Sequence, residues 1–280
     1  MHSSGTELRR YKAHQGSVLA LAISPDGKTL AWATNDNTIR LWEVATAQEV
    51  RTLTGYRGTV CSIAFAPDGK SLASASHETS LLIWDVPARV AKSGDALAAR
   101  ELEAFWADLA GTDAAKAYRA ISALAAAPKS ALPFLGQQLP KPIPKPEPQR
   151  LARLIADLDS DEFAPRQQAT EELDKLGELA ESAMRKELNG KLPSLELRRR
   201  LEQLLEKLTV QTPEQLRWPR AIQAVEWMDT TEATPLLEAL AKDAPSRVVR
   251  QDATAALERL AQRAAMTPAT GETSNCGTCP

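Results

Sequence analysis

Two cysteines near the C-terminus have the spacing in this sequence that is most typical of metal or redox chemistry. Cys276 and Cys279 form a C-x-x-C motif, which brings two thiols within reach of one metal ion or of each other. A structural zinc site needs about four ligands, and the sequence contains no second pair. A redox dithiol normally opens a helix, whereas only Pro280 follows Cys279. We interpret the motif as part of a flexible tail over 265–280, with a partial metal site and a redox site as the alternatives.

The charged clusters favour solvated helix faces rather than binding sites. The densest basic run is Arg-Arg-Arg at 198–200, and Glu196 and Glu202 are spaced to form ion pairs with it along one helix. The acidic run at 157–162 lacks the glycine and the terminal glutamate of an EF-hand loop, and helix capping explains it better. The chain has 34 basic and 36 acidic residues, a net charge of −2, so we expect no nucleic acid and no anionic membrane as a partner.

The remaining sequence offers no pattern typical of an enzyme. It contains no glycine-rich phosphate loop, no metal-ligand cluster and no nucleophile with a partnered base. The first residues lack the apolar run of a secretory signal, and no stretch approaches the roughly 20 apolar residues of a membrane span. We therefore predict a protein that is not an enzyme, has no cofactor and no membrane contact, and lies in the cytoplasm unless the true start lies upstream.

A repeated phrase in the first third of the chain indicates how its side chains are positioned. The Pro-Asp-Gly at 25–27 returns at 67–69, and Trp42 returns as Trp84, both at an offset of 42 residues without a gap. A period of about 40 to 45 residues with alternating apolar positions is typical of propeller blades. Strands are predicted in the first unit at 18–23, 29–34, 38–43 and 49–54. The second unit has three matching strands and no convincing fourth after Val86.

These units resemble WD40 repeats over roughly 8–86. In that family a histidine, a serine or threonine, an aspartate and a tryptophan can form a hydrogen-bonded tetrad within one blade. The matching positions are His14, Trp32, Asp36 and Trp42 in the first unit and Tyr56, Ser74, Glu78 and Trp84 in the second. Neither tetrad is complete, because Trp32 replaces the hydroxyl and Tyr56 replaces the histidine. The resemblance implies structural roles for these residues, and we expect apolar packing to hold the first blade together.

Two blades cannot close a propeller, which typically has four to eight. The segment 8–11 matches the outermost strand of a preceding blade. We therefore consider three explanations, which are a truncated gene product, a wrongly assigned start, and blades that another chain completes.

From Asp95 onward the sequence has helical periodicity, interrupted by a proline-rich spacer at 140–148. Beyond the spacer, the phrase Arg-x-x-Ala/Leu-x-x-x-Leu recurs, with partner helices predicted around 178–188, 213–228 and 232–242. The spacing resembles HEAT-type helical repeats, and an irregular helical bundle is the alternative. The recurring positions are Arg166, Ala169 and Leu173, then Arg198, Leu201 and Leu205, and then Arg250, Ala253 and Leu257.

The predicted fold class is α+β, with the antiparallel blades of an incomplete propeller followed by an all-α repeat or bundle. The predicted boundaries are 7–92 for two blades, 93–139 for a helical segment, 140–148 for the spacer, 149–264 for the helical domain and 265–280 for the tail. This combination is similar to large bacterial WD40 proteins. It implies a protein–protein interaction scaffold, whose partners include a chain that completes the propeller and no small-molecule ligand. The alternative is a regulatory or targeting module of a larger enzyme whose catalytic domain lies upstream.

Overall fold

The chain has two antiparallel β-sheets followed by ten helices in a computed structural model, which describes residues 11, 17–78, 80–87, 96–140, 146–190, 194–209 and 212–266. His14, Cys276 and Cys279 lie outside the described residues. The predicted α+β fold class is confirmed, because the strands precede the helices along the chain. Within the described residues, no helix combines the length and apolar character of a membrane span.

The first sheet contains four strands in chain order, β1 to β4. Alternation of apolar residues forms the strands, and Gly27, at φ 72°, supplies the left-handed conformation of the Pro-Asp-Gly turn between β1 and β2. Residues directly opposite one another on neighbouring strands share a face, as Leu21, Trp32 and Arg40 do. The strands are β1 (Val18–Ile23), β2 (Thr29–Thr34), β3 (Ile39–Glu43) and β4 (Gln48–Leu53).

The second sheet repeats the first with three strands, β5 (Val60–Phe65), β6 (Ser71–Ser76) and β7 (Leu81–Asp85). Its Pro-Asp-Gly turn also has a glycine in the left-handed conformation, Gly69 at φ 68°. Among the described residues β7 pairs with β6 alone, and residues 88–95, where a fourth strand would follow, lie outside the described part of the chain. The two sheets lie against each other through β5, which contacts β1 and β2.

Helices follow the sheets in the described chain, and two of them begin with side chains of the types that commonly cap helices. Asp113 caps α2 by accepting a hydrogen bond from the Lys116 amide at 3.0 Å, and Thr212 and Gln215 form a capping box at the start of α8. The helices are α1 (Ala99–Ala110), α2 (Ala114–Ala126), α3 (Pro128–Gln137), α4 (Pro148–Asp157), α5 (Phe163–Leu176), α6 (Glu178–Leu188), α7 (Leu195–Thr209), α8 (Pro213–Met228), α9 (Thr234–Asp243) and α10 (Arg247–Met266).

The strands and helices pack into two separate hydrophobic cores. The larger core joins both sheets with α1, α2, α3, α8, α9 and α10, and the smaller core consists of residues from α4 to α7 with their adjoining turn. The predicted helical domain over 149–264 is therefore not one packing unit. The difference arises because the apolar face of α8, including Ile222, packs with the helices at 99–137 and the sheets rather than with α4 to α7.

Buried polar contacts attach the helices to the strands. Arg220 of α8 donates two hydrogen bonds to the Glu43 carboxylate, at 2.6 and 2.7 Å, and further bonds to the Leu109 and Gly111 carbonyls. Lys28, in the turn after β1, contacts Asp252 of α10 at 2.8 Å. These contacts lie at the ends and turns of the strands, while α2 contacts β4, the outer strand of the first sheet.

Candidate protein-interaction surface

Each sheet has exposed apolar residues on one face, although Trp32 and Trp42, which lie on that face of the first sheet, are buried. On the first sheet this face carries Leu21 and Ile23 of β1, which are 62% and 58% exposed, together with Leu30 of β2. We call these three residues the first open face. On the second sheet the face carries Leu81 and Ile83, which are 67% and 65% exposed, together with Ala64 and Ala73. We call these four residues the second open face.

The repeat allows the exposure of these residues to be compared with that of the equivalent residues in the other sheet. At the 42-residue offset, Leu21 corresponds to Ile63, which is only 8% exposed. In the other direction, Leu81 and Ile83 correspond to Ile39 and Leu41, which are fully buried. Equivalent residues are therefore buried where the two sheets pack together and exposed at the two outer sides. Contiguous exposed apolar residues of this kind are typical of interaction sites.

The first sheet holds its tryptophans by aromatic packing. Trp32 and Trp42 stack with their ring centroids 4.6 Å apart, and Tyr11 packs edge-on against both at about 6 Å. Neither indole nitrogen has a hydrogen-bond partner among the described residues. The tetrad position Asp36 instead accepts hydrogen bonds from Thr34, Thr38 and Arg40.

Those hydrogen bonds change the acidity of Asp36. The threonine hydroxyls, followed by the Arg40 guanidinium and the Thr38 amide, hold the pKa of the carboxyl well below its ordinary value of 3.8. The carboxylate fixes the turn between β2 and β3 by bonding to residues on both sides of it. Its role is structural, and it does not line either open face.

The second sheet contains the hydrogen bonds that the first sheet lacks. The indole N–H of Trp84 donates to the Ser74 hydroxyl at 2.6 Å, and the Tyr56 hydroxyl bonds to the same oxygen at 2.5 Å. Tyr56 thus contacts Ser74 from the position at which the family has a histidine. Glu78, the remaining tetrad position, packs beside Gly58. A Cβ atom on residue 58 would lie 2.6 Å from the Cγ atom of Glu78.

The three predicted arginines of the helical repeat have two different environments. Arg166 donates to the Ser160 and Asp161 carbonyls at 2.7 Å, and Arg250 bonds in the same way to the Ala244 and Pro245 carbonyls. Arg198 instead pairs with Glu202 on the exposed surface of α7 at 3.0 Å. Arg166 and Arg250 thus bond to the backbone before their helices, whereas the described contact of Arg198 lies within its own helix.

The apolar repeat positions divide between the two cores. Ala169, Leu173, Leu201 and Leu205 lie in the smaller core, while Ala253 lies in the larger one and Leu257 packs against it. The recurring spacing therefore marks buried helix faces. It does not mark a common binding surface.

Sequence reasoning missed the buried charged contact between Arg220 and Glu43. A cavity of about 400 Å³ lies beside this pair and is also lined by Lys28. Its charged side chains bond to one another or to neighbouring groups of the chain. No cluster of three or more potential metal-ligating side chains occurs in the part of the chain that the structure describes. No local pattern distinguishes Arg220 for this contact, because α8 also carries Arg217, Gln223 and Glu226.

Comparison with known proteins identifies the repeated sheets. Residues 5–43 and 47–85 match the family model for the WD domain, G-beta repeat. The chain therefore contains two WD40 repeats. The first match covers β1 to β3, and the second covers β4, the outer strand of the first sheet, together with β5 to β7. We refer to the two sheets below as the first and second blades.

Individual relatives match a small part of the chain. The ribosome biogenesis protein ERB1 of Yarrowia lipolytica is 45% identical over 40 residues, which cover 14% of this chain and 5% of the relative. The serine-threonine kinase receptor-associated protein of Homo sapiens is 38% identical over 47 residues, 17% of this chain and 13% of the relative. The chain thus matches a small fraction of the length of these relatives.

Solved structures show the same limited overlap. The structure of U3-55K shares 29% identity and a TM-score of 0.27, covering 28% of this chain and 25% of that one. The computationally designed Ika4 protein shares 26% identity and a TM-score of 0.26, covering 29% of this chain and 48% of that one.

Proposed function

We propose that this protein is a non-catalytic protein–protein interaction scaffold that binds its partner through the two open blade faces. The observation that carries the proposal is the difference between equivalent residues: Leu81 and Ile83 are exposed, whereas Ile39 and Leu41 are fully buried. Removing apolar surface from water is the main favourable contribution to association. A partner that covers these faces therefore gains stabilisation that the isolated chain lacks.

The shape of the faces defines the kind of partner. Each is the flat side of a twisted antiparallel sheet, and within this chain such a side packs on a neighbouring blade. The partner surface is accordingly a further set of propeller blades. The relatives include a ribosome biogenesis protein and a receptor-associated protein. These roles are compatible with scaffolding.

Site-specific photo-crosslinking in cells tests this function. A benzophenone side chain would replace Leu21 in one variant and Ile83 in another, with the 89% exposed Leu195 of α7 as the matched control. We expect covalent adducts from the two blade positions, mapped by mass spectrometry to β-strands of the captured protein. Crosslinking at positions 21 and 83 no greater than at position 195 would contradict the proposal.

A further inference from the structure

We propose that the partner of each open face is a second copy of this chain, so that identical chains join head to tail and complete a propeller. The inference rests on the proposed function, because it names the partner of the same surface. Each chain supplies two blades. Since propellers close with roughly four to eight blades, a closed ring would contain about two to four chains.

The two open faces complement each other because of the repeat. Within the chain, the second blade presents Ile63 and Leu72 toward the first blade, and both residues are buried in the shared core. Their equivalents in the first blade are Leu21 and Leu30, which belong to the first open face. Ile63 and Leu72 share that core with Ile39 and Leu41 of the first blade. The equivalents of Ile39 and Leu41 in the second blade are Leu81 and Ile83, which belong to the second open face. A joint between two chains would thus repeat the joint within one chain.

Such a joint is heterologous, because it brings two different surfaces together. Head-to-tail contacts of this type form rings when the rotation between subunits closes. A second copy carries both kinds of face in equal number, so each open face meets its complement. The open array of blades also has a physical reason to close, since closure buries apolar faces that a short array leaves in water.

The surroundings of the faces allow this approach. Arg40, the charged residue that shares a face with Leu21, is paired with Glu49 at 2.9 Å and with Asp36 at 3.2 Å, so its charge is compensated at the edge of the joint. The contacts from α8 and α10 reach Glu43 and Lys28 at the turns. They leave Leu21 and Ile83 accessible.

Complementation between two blocked variants tests the inference. Leu21→Glu disables the first open face, and Ile83→Glu disables the second, because each places a charge in an apolar joint. Light scattering of the full chain should give two to four times 30.4 kDa for the wild type and 30.4 kDa for either variant alone. An equal mixture should form a species of two chains, because each variant retains the face that the other lacks.

The control is Phe163→Glu, at a 72% exposed position of α5, which should keep the wild-type mass. Circular dichroism of each variant would establish that it is folded. A wild type of 30.4 kDa at all concentrations, or a mixture that does not associate, would overturn the inference. A monomeric wild type that still crosslinks to a different protein from positions 21 and 83 would show that the partner is not a second copy of this chain. That result would leave the proposed scaffold function intact.

Discussion

Trp32 and Ser74 occupy equivalent positions of the two blades and stabilise them by different interactions. Trp32 stacks on Trp42, whereas Ser74 bonds to both Trp84 and Tyr56. The sequence predicted the first arrangement, because a large indole cannot act as the missing hydroxyl. It did not predict the second, since the bond from Tyr56 to Ser74 depends on how the loop before β5 approaches the sheet.

Replacing Ser74 by alanine should destabilise the second blade. The change leaves the Trp84 indole N–H and the Tyr56 hydroxyl without their shared oxygen in a part-buried site. We expect a loss of about 1–3 kcal/mol in the free energy of unfolding, measured by chemical denaturation. The exposed neighbour Ser62 provides the control as Ser62→Ala, and equal losses for both variants would argue against the network.

Asp36 should make stability depend on pH. Its pKa is lower in the folded chain than its ordinary value of 3.8, so folding favours the charged form. The stabilisation is complete above that value and is lost as the pH falls toward the folded-state pKa. Asp36→Asn should therefore lower the unfolding free energy at pH 7, with the gap to wild type narrowing steadily as the pH falls below about 4. A gap that stays constant as the pH falls would contradict this role.

At the scale of elements, α8 is the part of the helical region that is most closely tied to the blades. Its apolar residues join the larger core, and its Arg220 reaches across to Glu43 at the end of β3. Helical periodicity was sufficient to predict α8 at 213–228, because capping and apolar spacing are local. The contact with β3 spans 177 residues of chain, and no local pattern specifies it.

Arg220→Ala should destabilise the attachment of α8 strongly. The arginine side chain is 3% exposed, and its removal leaves the Glu43 carboxylate without its bidentate partner. Removing one member of a buried ion pair typically costs about 3–5 kcal/mol. The exposed pair formed by Arg198 offers a matched control, where Arg198→Ala should cost at most about 1 kcal/mol. Similar denaturation midpoints for the two variants would refute the assignment.

The smaller core should respond separately from the larger one. Leu201 of α7 is fully buried among residues of α4 to α7. Leu201→Ala should cost about 2–5 kcal/mol locally. Hydrogen exchange should accelerate in 148–209 and change little in 213–228. The reciprocal variant Ile222→Ala, in the larger core, should show the opposite pattern, and equal acceleration in both regions would mean that the cores unfold as one.

For the whole molecule, the central question is what covers the blades. The sequence predicted an incomplete propeller from the 42-residue repeat alone, since two units are too few to close. It did not reveal that α8 to α10 share a core with the blades, because the helical spacing looks alike in both cores. In the structure, apolar residues remain exposed at the outer sides of the two blades, so these residues form the candidate interaction surface: Leu21, Ile23, Leu81 and Ile83.

The accessibility of the second open face in living cells tests this account most directly. Ile83→Cys and the control Leu195→Cys would be made in a chain whose three native cysteines are replaced by serine. Alkylation rates would then be compared in the cells that naturally produce the protein. The account predicts that the cysteine at position 83 reacts at least about tenfold more slowly than in urea-unfolded chain, a difference of 1.4 kcal/mol or more, while the one at 195 shows little protection. Equal reactivity at the two positions would show that the face is uncovered and would contradict the account.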